Sequence, residues 1–238
     1  MPSLNLLYKD EYRINDRLAI RIPRVGEIVD CEDAYYSIVS LLTAQPIDYM
    51  IELDDIGIKF NEINSYELFM LLFPVLQGMD TSLVFQGVNL RLFENWVNTD
   101  TGRPFLYDPT NDIVIDRAVH AKISMIMRKI HHLAEDKRKP GNADAYDYMI
   151  KRAREKRKRK KSRTRDSQLE SLITALVNTE QFKYNYETAR DLTIYQFNES
   201  VAQISKKIDY DNRMHGVYAG TVDPVKLSQD DLNWLVHK

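Results

Sequence analysis

The spacing of hydrophobic residues changes from alternation near the N-terminus to helical periodicity over most of the chain. Leu18, Ile20 and Ile22 alternate with polar or small residues, which predicts a strand with one buried face. Asn15 and Asp16 precede this strand and can form a tight turn. We therefore expect residues 7–14 and 17–22 to pair as a β-hairpin.

Two further stretches suggest antiparallel strands. Residues 82–85 and 88–93 are short apolar runs joined by Gln86 and Gly87, a pattern typical of a second hairpin. Residues 105–108 then turn through 109–111 into another extended run. These segments predict small antiparallel sheets rather than one large sheet.

Helical spacing begins near Asp30, which we expect to cap a helix with an inner face of Tyr35, Ile38, Leu41 and Leu42. Residues 47–60 fit either a short helix or a strand. Ser65 is the expected cap of a helix over 66–73 that is apolar on nearly every side, so we expect it to be buried all round.

The strongest helix signal of the first half follows Asp116. Val119, Ile123, Ile126, Ile130 and Leu133 are spaced 4, 3, 4 and 3 residues apart, which predicts one buried stripe. Pro140 and Gly141 are expected to end this helix.

Three more helical segments are predicted in the second half. Asn142 or Asp144 begins a helix with Tyr146, Met149, Ile150 and Ala153 on its inner side. Asp166 is expected to cap a short amphipathic helix, and a long helix from Ile194 runs toward Gly216. Beyond Gly220 we expect a turn and a short helix that lay Leu227, Leu232 and Trp234 on a surface. The fold class is therefore α+β, mainly α with small antiparallel hairpins.

Charge divides the chain into unequal parts. Residues 137–165 contain fourteen Lys and Arg against three Asp and Glu, a net charge of +11. Since the whole chain carries −2, the other 209 residues carry −13. We expect an acidic body, residues 1–136, a protruding basic helical arm, 137–165, and a C-terminal helical segment, 166–238, that packs on the body.

Catalytic and cofactor motifs do not stand out. No glycine-rich phosphate loop or nucleophile elbow is present, so we expect no enzyme and no cofactor. The histidines have no metal-ligand spacing, and Cys31 lies among acidic residues that disfavour a thiolate. Asp54-Asp55 and Asp209-x-Asp211 are paired carboxylates of the kind that hold divalent cations, but no third carboxylate completes a site.

The arm is the candidate binding element. It can contact phosphate backbones or an acidic protein surface, or it can be a solvated helix end with no partner. Aromatic residues are absent between Met149 and Phe182, so reading of bases is not expected. The candidate partner-binding residues are Lys151, Arg152, Arg154, Arg157, Lys158, Arg159, Lys160, Lys161, Arg163 and Arg165 in the arm, with Leu227, Leu232 and Trp234 in the tail.

The two ends of the chain resemble the small tail assembly chaperones of long-tailed bacteriophages. The likeness rests on the Leu4-Asn-Leu-Leu-Tyr8 opening with the hairpin over 12–23, and on residues 210–223 with Leu232-Asn-Trp234. It implies a non-enzymatic protein, made in the infected cell, that binds the tape measure protein or tail-tube subunits during assembly and is left out of the finished particle. The basic arm departs from this family's pattern.

There are two partner hypotheses. The first is a phage structural protein, the tape measure or tail tube, bound in the host-cell cytoplasm. The second is a nucleic acid held by its backbone at the arm. The longest apolar run, over 68–76, has nine residues, about half of what a bilayer requires, and no signal peptide is visible, so no membrane partner is expected.

Overall fold

The N-terminal hairpin forms as the alternation predicts. The computed structural model describes residues 5–159, 167–228 and 231–235. Strands β1 (Glu11–Arg13) and β2 (Ala19–Arg21) pair antiparallel, with Tyr12 opposite Ile20. The Asn15 side-chain oxygen accepts the backbone N–H groups of Arg17 and Leu18 and closes the turn. Leu18, Ile20 and Ile22 are all buried, which confirms the predicted inner face.

Two helices follow where one was expected. Helix α1 (Val25–Val29) precedes α2 (Glu32–Leu42). Asp30 does not cap α2. Its backbone N–H instead donates to the Ile28 carbonyl at the C-terminal end of α1, and Cys31 occupies the N-cap position of α2. The inner face of α2 is the predicted one: Tyr35, Ile38, Leu41 and Leu42 are buried.

The ambiguous segment after Pro46 is helical. A single 3₁₀ turn over Pro46–Tyr49 leads into α3 (Met50–Asp55). Helix α4 (Ser65–Gln77) is capped by Asn64 rather than Ser65, because the Asn64 side chain accepts the N–H groups of Tyr66 and Glu67. The expectation that this helix is buried all round is wrong: Leu71 and Val75 are about half exposed.

The predicted hairpin over 82–93 does not form. Thr81 accepts the N–H groups of Val84 and Phe85 in a turn, and Leu90–Leu92 is a 3₁₀ turn. The second sheet begins later and has the order β3 (Glu94–Val97), β4 (Pro104–Asp108), β5 (Ile113–Ile115) with antiparallel pairing. Its second half confirms the extended run and turn predicted over 105–115.

Helix α5 (Arg117–His131) carries the predicted apolar stripe. Asp116 caps it by accepting the Val119 N–H at 2.8 Å. The helix does not run to Pro140, because His132 adopts a left-handed conformation with φ 54° and closes the last turn. Leu133 therefore lies beyond the helix and is 42% exposed.

The remaining helices are α6 (Ala143–Arg159), α7 (Gln168–Val177) and α8 (Ile194–Tyr218). Asn142 accepts the Ala145 N–H at the start of α6, as predicted. Ser167 caps α7, and Asp166, the predicted cap, lies outside the described residues. The observed fold is mainly helical with two small antiparallel sheets, so the predicted fold class is confirmed.

Two groups of buried side chains hold these elements together. The larger extends from Leu6 through the inner faces of α2, α4 and α5 to Phe197 at the start of α8. The smaller joins α6 to α3 and α4, and comprises Ala44, Ile47, Leu53, Phe60, Leu68, Tyr146 and Ile150. Within the described residues, no helix combines the length and apolar character needed to cross a bilayer.

Candidate functional site

The first half of α6 is fixed on α3 by apolar packing. Tyr146 stacks on Phe60 with ring centroids 5.1 Å apart and planes inclined by 15°. Ile150 follows one turn later and is buried in the smaller core. Side chains four residues apart share a helix face, so Tyr146 and Ile150 set the face of α6 that lies on the body.

The same face continues with cations that pair with acidic residues of α3. Arg154 donates to Asp54 at 2.8 Å and to Asp55 at 2.5 Å, and Arg157 donates to Glu52 at 2.8 Å. The two carboxylates raise the pKa of the Arg154 guanidinium. All five side chains are partly exposed. Each ion pair therefore adds little to the stability of the fold by itself, and dissolved salt weakens it further by screening the charges.

These contacts change the interpretation of two sequence features. Asp54 and Asp55, which the sequence offers as paired carboxylates for a cation, instead bind Arg154. Asp211, in the other pair, accepts from Lys207 on the same helix at 2.5 Å. Among the residues the structure describes, no group of three His, Cys, Asp or Glu side chains is placed to hold a metal ion.

The remaining cations of α6 are placed differently: Lys151 and Lys158 line a groove with Asp54, whereas Arg152 and Arg159 lie on the opposite side of the helix. Lys151, Arg152, Lys158 and Arg159 are exposed, and none has an ion-pair partner in the part of the chain that the structure describes. Arg152 and Arg159 lie seven residues apart, nearly in line along the helix. Lys160, Lys161, Arg163 and Arg165 lie outside the described residues. The predicted arm thus divides into a paired inner face and an exposed outer face.

Helix α8 extends beyond the core. Its buried residues, Ile194, Tyr195 and Phe197, belong to the first turn, and its 25 residues span about 37 Å at the usual helical rise. The residues after it, 219–228 and 231–235, return along its side. We call α8 from Gln203 onward together with this returning part the C-terminal unit.

A few specific contacts hold the returning part on α8. Gln203 donates to the Trp234 carbonyl at 3.0 Å, and the Lys207 ammonium lies 5.5 Å from the centre of the Trp234 ring. Arg213 pairs with Asp231. Near the turn, a Cβ atom at Gly216 would lie 2.7 Å from the Cγ2 methyl of Val222, so a larger residue there would require Val222 to shift. The unit is therefore joined mainly by polar contacts rather than by a core.

The tail residues predicted from the sequence fall on this unit. Trp234 and Leu227 are partly buried, and Leu232 is 44% exposed. The expected short helix is only a 3₁₀ turn at Pro224–Lys226, because Pro224 begins it and Leu227 already has extended backbone. The unit also carries several exposed apolar side chains: Tyr218, Val225, Leu232 and Leu235.

A polar cavity between α4 and α5 is absent from the sequence-based expectations. Ser65, Arg117, His120, Ser124 and Arg128 line it. The four residues from α5 are spaced 3, 4 and 4 apart, which places them on one face. This polar stripe, beside the apolar one, is the signal of the cavity in the sequence.

The fold and its surfaces define a mainly helical protein with a helical extension at its C-terminal end. Residues 157–237 match the family model described as the YomV second domain, which is a phage-derived family. The match covers about a third of the chain and includes α7, α8 and the returning part. It indicates a phage origin. No curated protein and no solved structure matches the chain.

Proposed function

We propose that this chain is a non-enzymatic phage morphogenesis factor, of the tail assembly chaperone kind, that binds another virion protein through its C-terminal unit. The tape measure protein and the tail-tube protein are the proposed partners, met in the host-cell cytoplasm. One observation carries the proposal: the C-terminal unit, in the segment that matches a phage family, extends beyond the buried first turn of α8 and carries the exposed apolar side chains Tyr218, Val225, Leu232 and Leu235.

The exposed side chains suit an apolar helical partner. Tyr218 and Val225 are 85% and 89% exposed, and Leu235 is 64% exposed. Covering such side chains is favourable by about 25 cal/mol for each Å² of apolar surface.

Weak internal packing supports the same role. Among the described residues, the contacts that hold the returning part include the Arg213–Asp231 ion pair, the Lys207–Trp234 cation–π contact and the hydrogen bond from Gln203. Segments with few buried contacts open at low free-energy cost, so a partner can rearrange this unit as it binds.

The outer face of α6 supplies a second contact. Lys151, Arg152, Lys158 and Arg159 form a cationic surface that would attract an acidic segment of the partner. Such charges mainly raise the association rate and make it dependent on salt.

Co-purification tests the first proposal. The chain is co-expressed with the tape measure and tail-tube proteins of the same phage genome, and complexes are isolated through a tag on the chain. The variant Leu232→Ser with Leu235→Ser should lose the partner. Ile56→Ser is the matched control, since Ile56 is also 64% exposed but lies next to α3. Equal recovery with both variants would exclude the C-terminal unit as the binding site.

The second candidate function is binding of a nucleic-acid backbone by α6, and the observation that favours it is the row of cations without ion-pair partners in the described residues. This function requires an affinity for DNA or RNA that falls steeply with log salt concentration. Arg152→Gln, Lys158→Gln and Arg159→Gln together should reduce that slope. The control removes equal charge elsewhere, at Arg103, Lys122 and Lys129. Weak binding with a shallow slope would exclude this candidate.

A further inference from the structure

A cavity of about 260 Å³ lies between the start of α4 and one face of α5. Its wall includes Ser65, Tyr66, Arg117, His120, Ser124 and Arg128. It is separate from both the basic helix and the C-terminal unit, so a ligand site there is independent of the proposed function.

His120 is the unusual member of this wall. Its residue is 3% exposed, and its ring stacks on Phe69 with centroids 4.3 Å apart. Among the described residues, no group forms a hydrogen bond with its ring nitrogens, and no fully enclosed side-chain nitrogen is without a partner. Since His120 lines the cavity and its ring nitrogens are not fully enclosed, a ligand in the cavity can supply the missing partner.

The protonation state of His120 fits this role. Burial lowers the pKa of His120 to about 4, so the ring is neutral at neutral pH. A neutral imidazole carries one N–H donor and one acceptor nitrogen. The ring can therefore donate one hydrogen bond into the cavity.

Two arginines give the cavity positive charge. Arg128 is held in place because it donates to the carbonyls of Thr43 and Ala134. Arg117, nearly in line on the same helix face, has no hydrogen-bond or ion-pair partner in the described ranges. Glu135 is the one acidic side chain on the wall of this cavity, so the cations are in excess there.

The start of α4 faces the same cavity. Asn64, Ser65 and Tyr66 line it, and α4 has 13 residues, which is long enough for a substantial dipole. The Asn64 side chain accepts the N–H groups of Tyr66 and Glu67, so α4 contributes its positive dipole end, which favours anions, rather than free backbone donors. Hydroxyl groups of Ser65 and Ser124 add donors from two different helices.

We propose that this cavity binds a small ligand through a phosphate group. Ser65, Ser124, His120 and the two arginines line the cavity from two helices, and a phosphate group can accept several such hydrogen bonds at once, including charge-assisted ones from arginine. The Arg117 and Arg128 guanidinium groups neutralise its charge, and the His120 N–H donates to one of its oxygens. The cavity is larger than a bare phosphate ion, so a small organic group fits beside it.

Calorimetric titration of the full chain tests this site with inorganic phosphate and with phenyl phosphate, against sodium chloride of the same ionic strength. We expect saturable binding of both phosphates and none of chloride. Arg117→Gln and Ser124→Ala should weaken binding about tenfold or more, because each removes a donor to a charged ligand. Lys122→Gln, an exposed charge on another face of α5, should leave the affinity unchanged.

A second measurement does not depend on how the variants fold. The ring resonances of His120 should shift on addition of phosphate to the unaltered protein, and the pKa of His120 should rise because a bound anion favours the charged ring. Absence of saturable binding, or an equal loss of affinity in Lys122→Gln, would overturn the proposal.

Discussion

The guanidinium of Arg154 lies 2.8 Å from the carboxylate of Asp54, a residue one hundred positions earlier in the chain. The same nitrogen donates to Asp55. Together with the stacking of Tyr146 on Phe60, this contact fixes which face of the basic helix is bound to the body and which face is free.

The first prediction concerns this ion pair. Arg154→Gln should increase amide hydrogen exchange in the second half of α6, because the ion pair holds this part of the helix on α3. Exchange in α5 should be unchanged, because no residue of α5 takes part in this ion pair. The effect should shrink in high salt, which already screens the contact. Arg152→Gln is the control, since Arg152 has no ion-pair partner within the described residues. Equal exchange in both variants would show that the pair does not hold the helix.

The second prediction concerns the smaller core. Ile150→Ala should lower the free energy of unfolding by about 2–4 kcal/mol, because it removes buried methyl groups and leaves a cavity. Tyr148→Ala changes a 62% exposed side chain of the same helix and should alter the free energy of unfolding by about 0.5 kcal/mol or less. Urea denaturation measures both. A loss below about 1 kcal/mol for Ile150→Ala would mean that α6 is not packed on α3.

The third prediction is a pH dependence. Burial lowers the pKa of His120 and of His131 to about 4 in the folded chain, from an ordinary value near 6.5. The unfolded chain therefore binds more protons between these values, so stability should fall as pH decreases from about 6.5 to 4, by roughly 1–3 kcal/mol for each histidine.

Urea midpoints measured in phosphate-free buffer across that range test the pH dependence. His131→Gln should flatten the slope, whereas His215→Gln, at an exposed position, should not. A stability that stays constant from pH 6.5 to 4 would contradict the assignment of both rings as buried and neutral.

The fourth prediction concerns the close approach of Gly216 to Val222. Gly216→Ala places a methyl group 2.7 Å from the Cγ2 methyl of Val222, so Val222 must shift, and we expect the returning part to move away from α8 with it. In a Trp96→Phe background, Trp234 fluorescence should then shift to longer wavelength because the ring leaves Lys207. Gly141→Ala, at a position with open space, should leave the spectrum unchanged. An unchanged spectrum in both variants would contradict the described packing of the returning part on α8.

The local pattern of hydrophobic spacing and cap residues was sufficient to predict several helices and strands. The stripe after Asp116 predicted α5, since a cap residue and a regular spacing agree there. The end of that helix was missed because His132 adopts its left-handed conformation without glycine to signal it. The hairpin over 82–93 was wrong because short apolar runs also occur in turns whose side chains fill a core, as Val84 and Phe85 do.

Long-range pairing could not be read from the sequence. The charge of the arm was evident, but nothing local relates Arg154 to Asp54 or Arg157 to Glu52. The cavity was missed for a related reason: Ser65 and His120 come from different helices and meet only in the folded chain.

The affinity of the purified chain for the tape measure and tail-tube proteins of its own phage tests the proposed role most directly. We predict that binding weakens at least about tenfold in the variant Leu232→Ser with Leu235→Ser, a loss of about 1.4 kcal/mol or more, because both changes remove apolar surface from the proposed contact. Ile56→Ser should bind like the unaltered chain. Unchanged affinity in the double variant, or no binding of either protein by the unaltered chain, would contradict the proposed role.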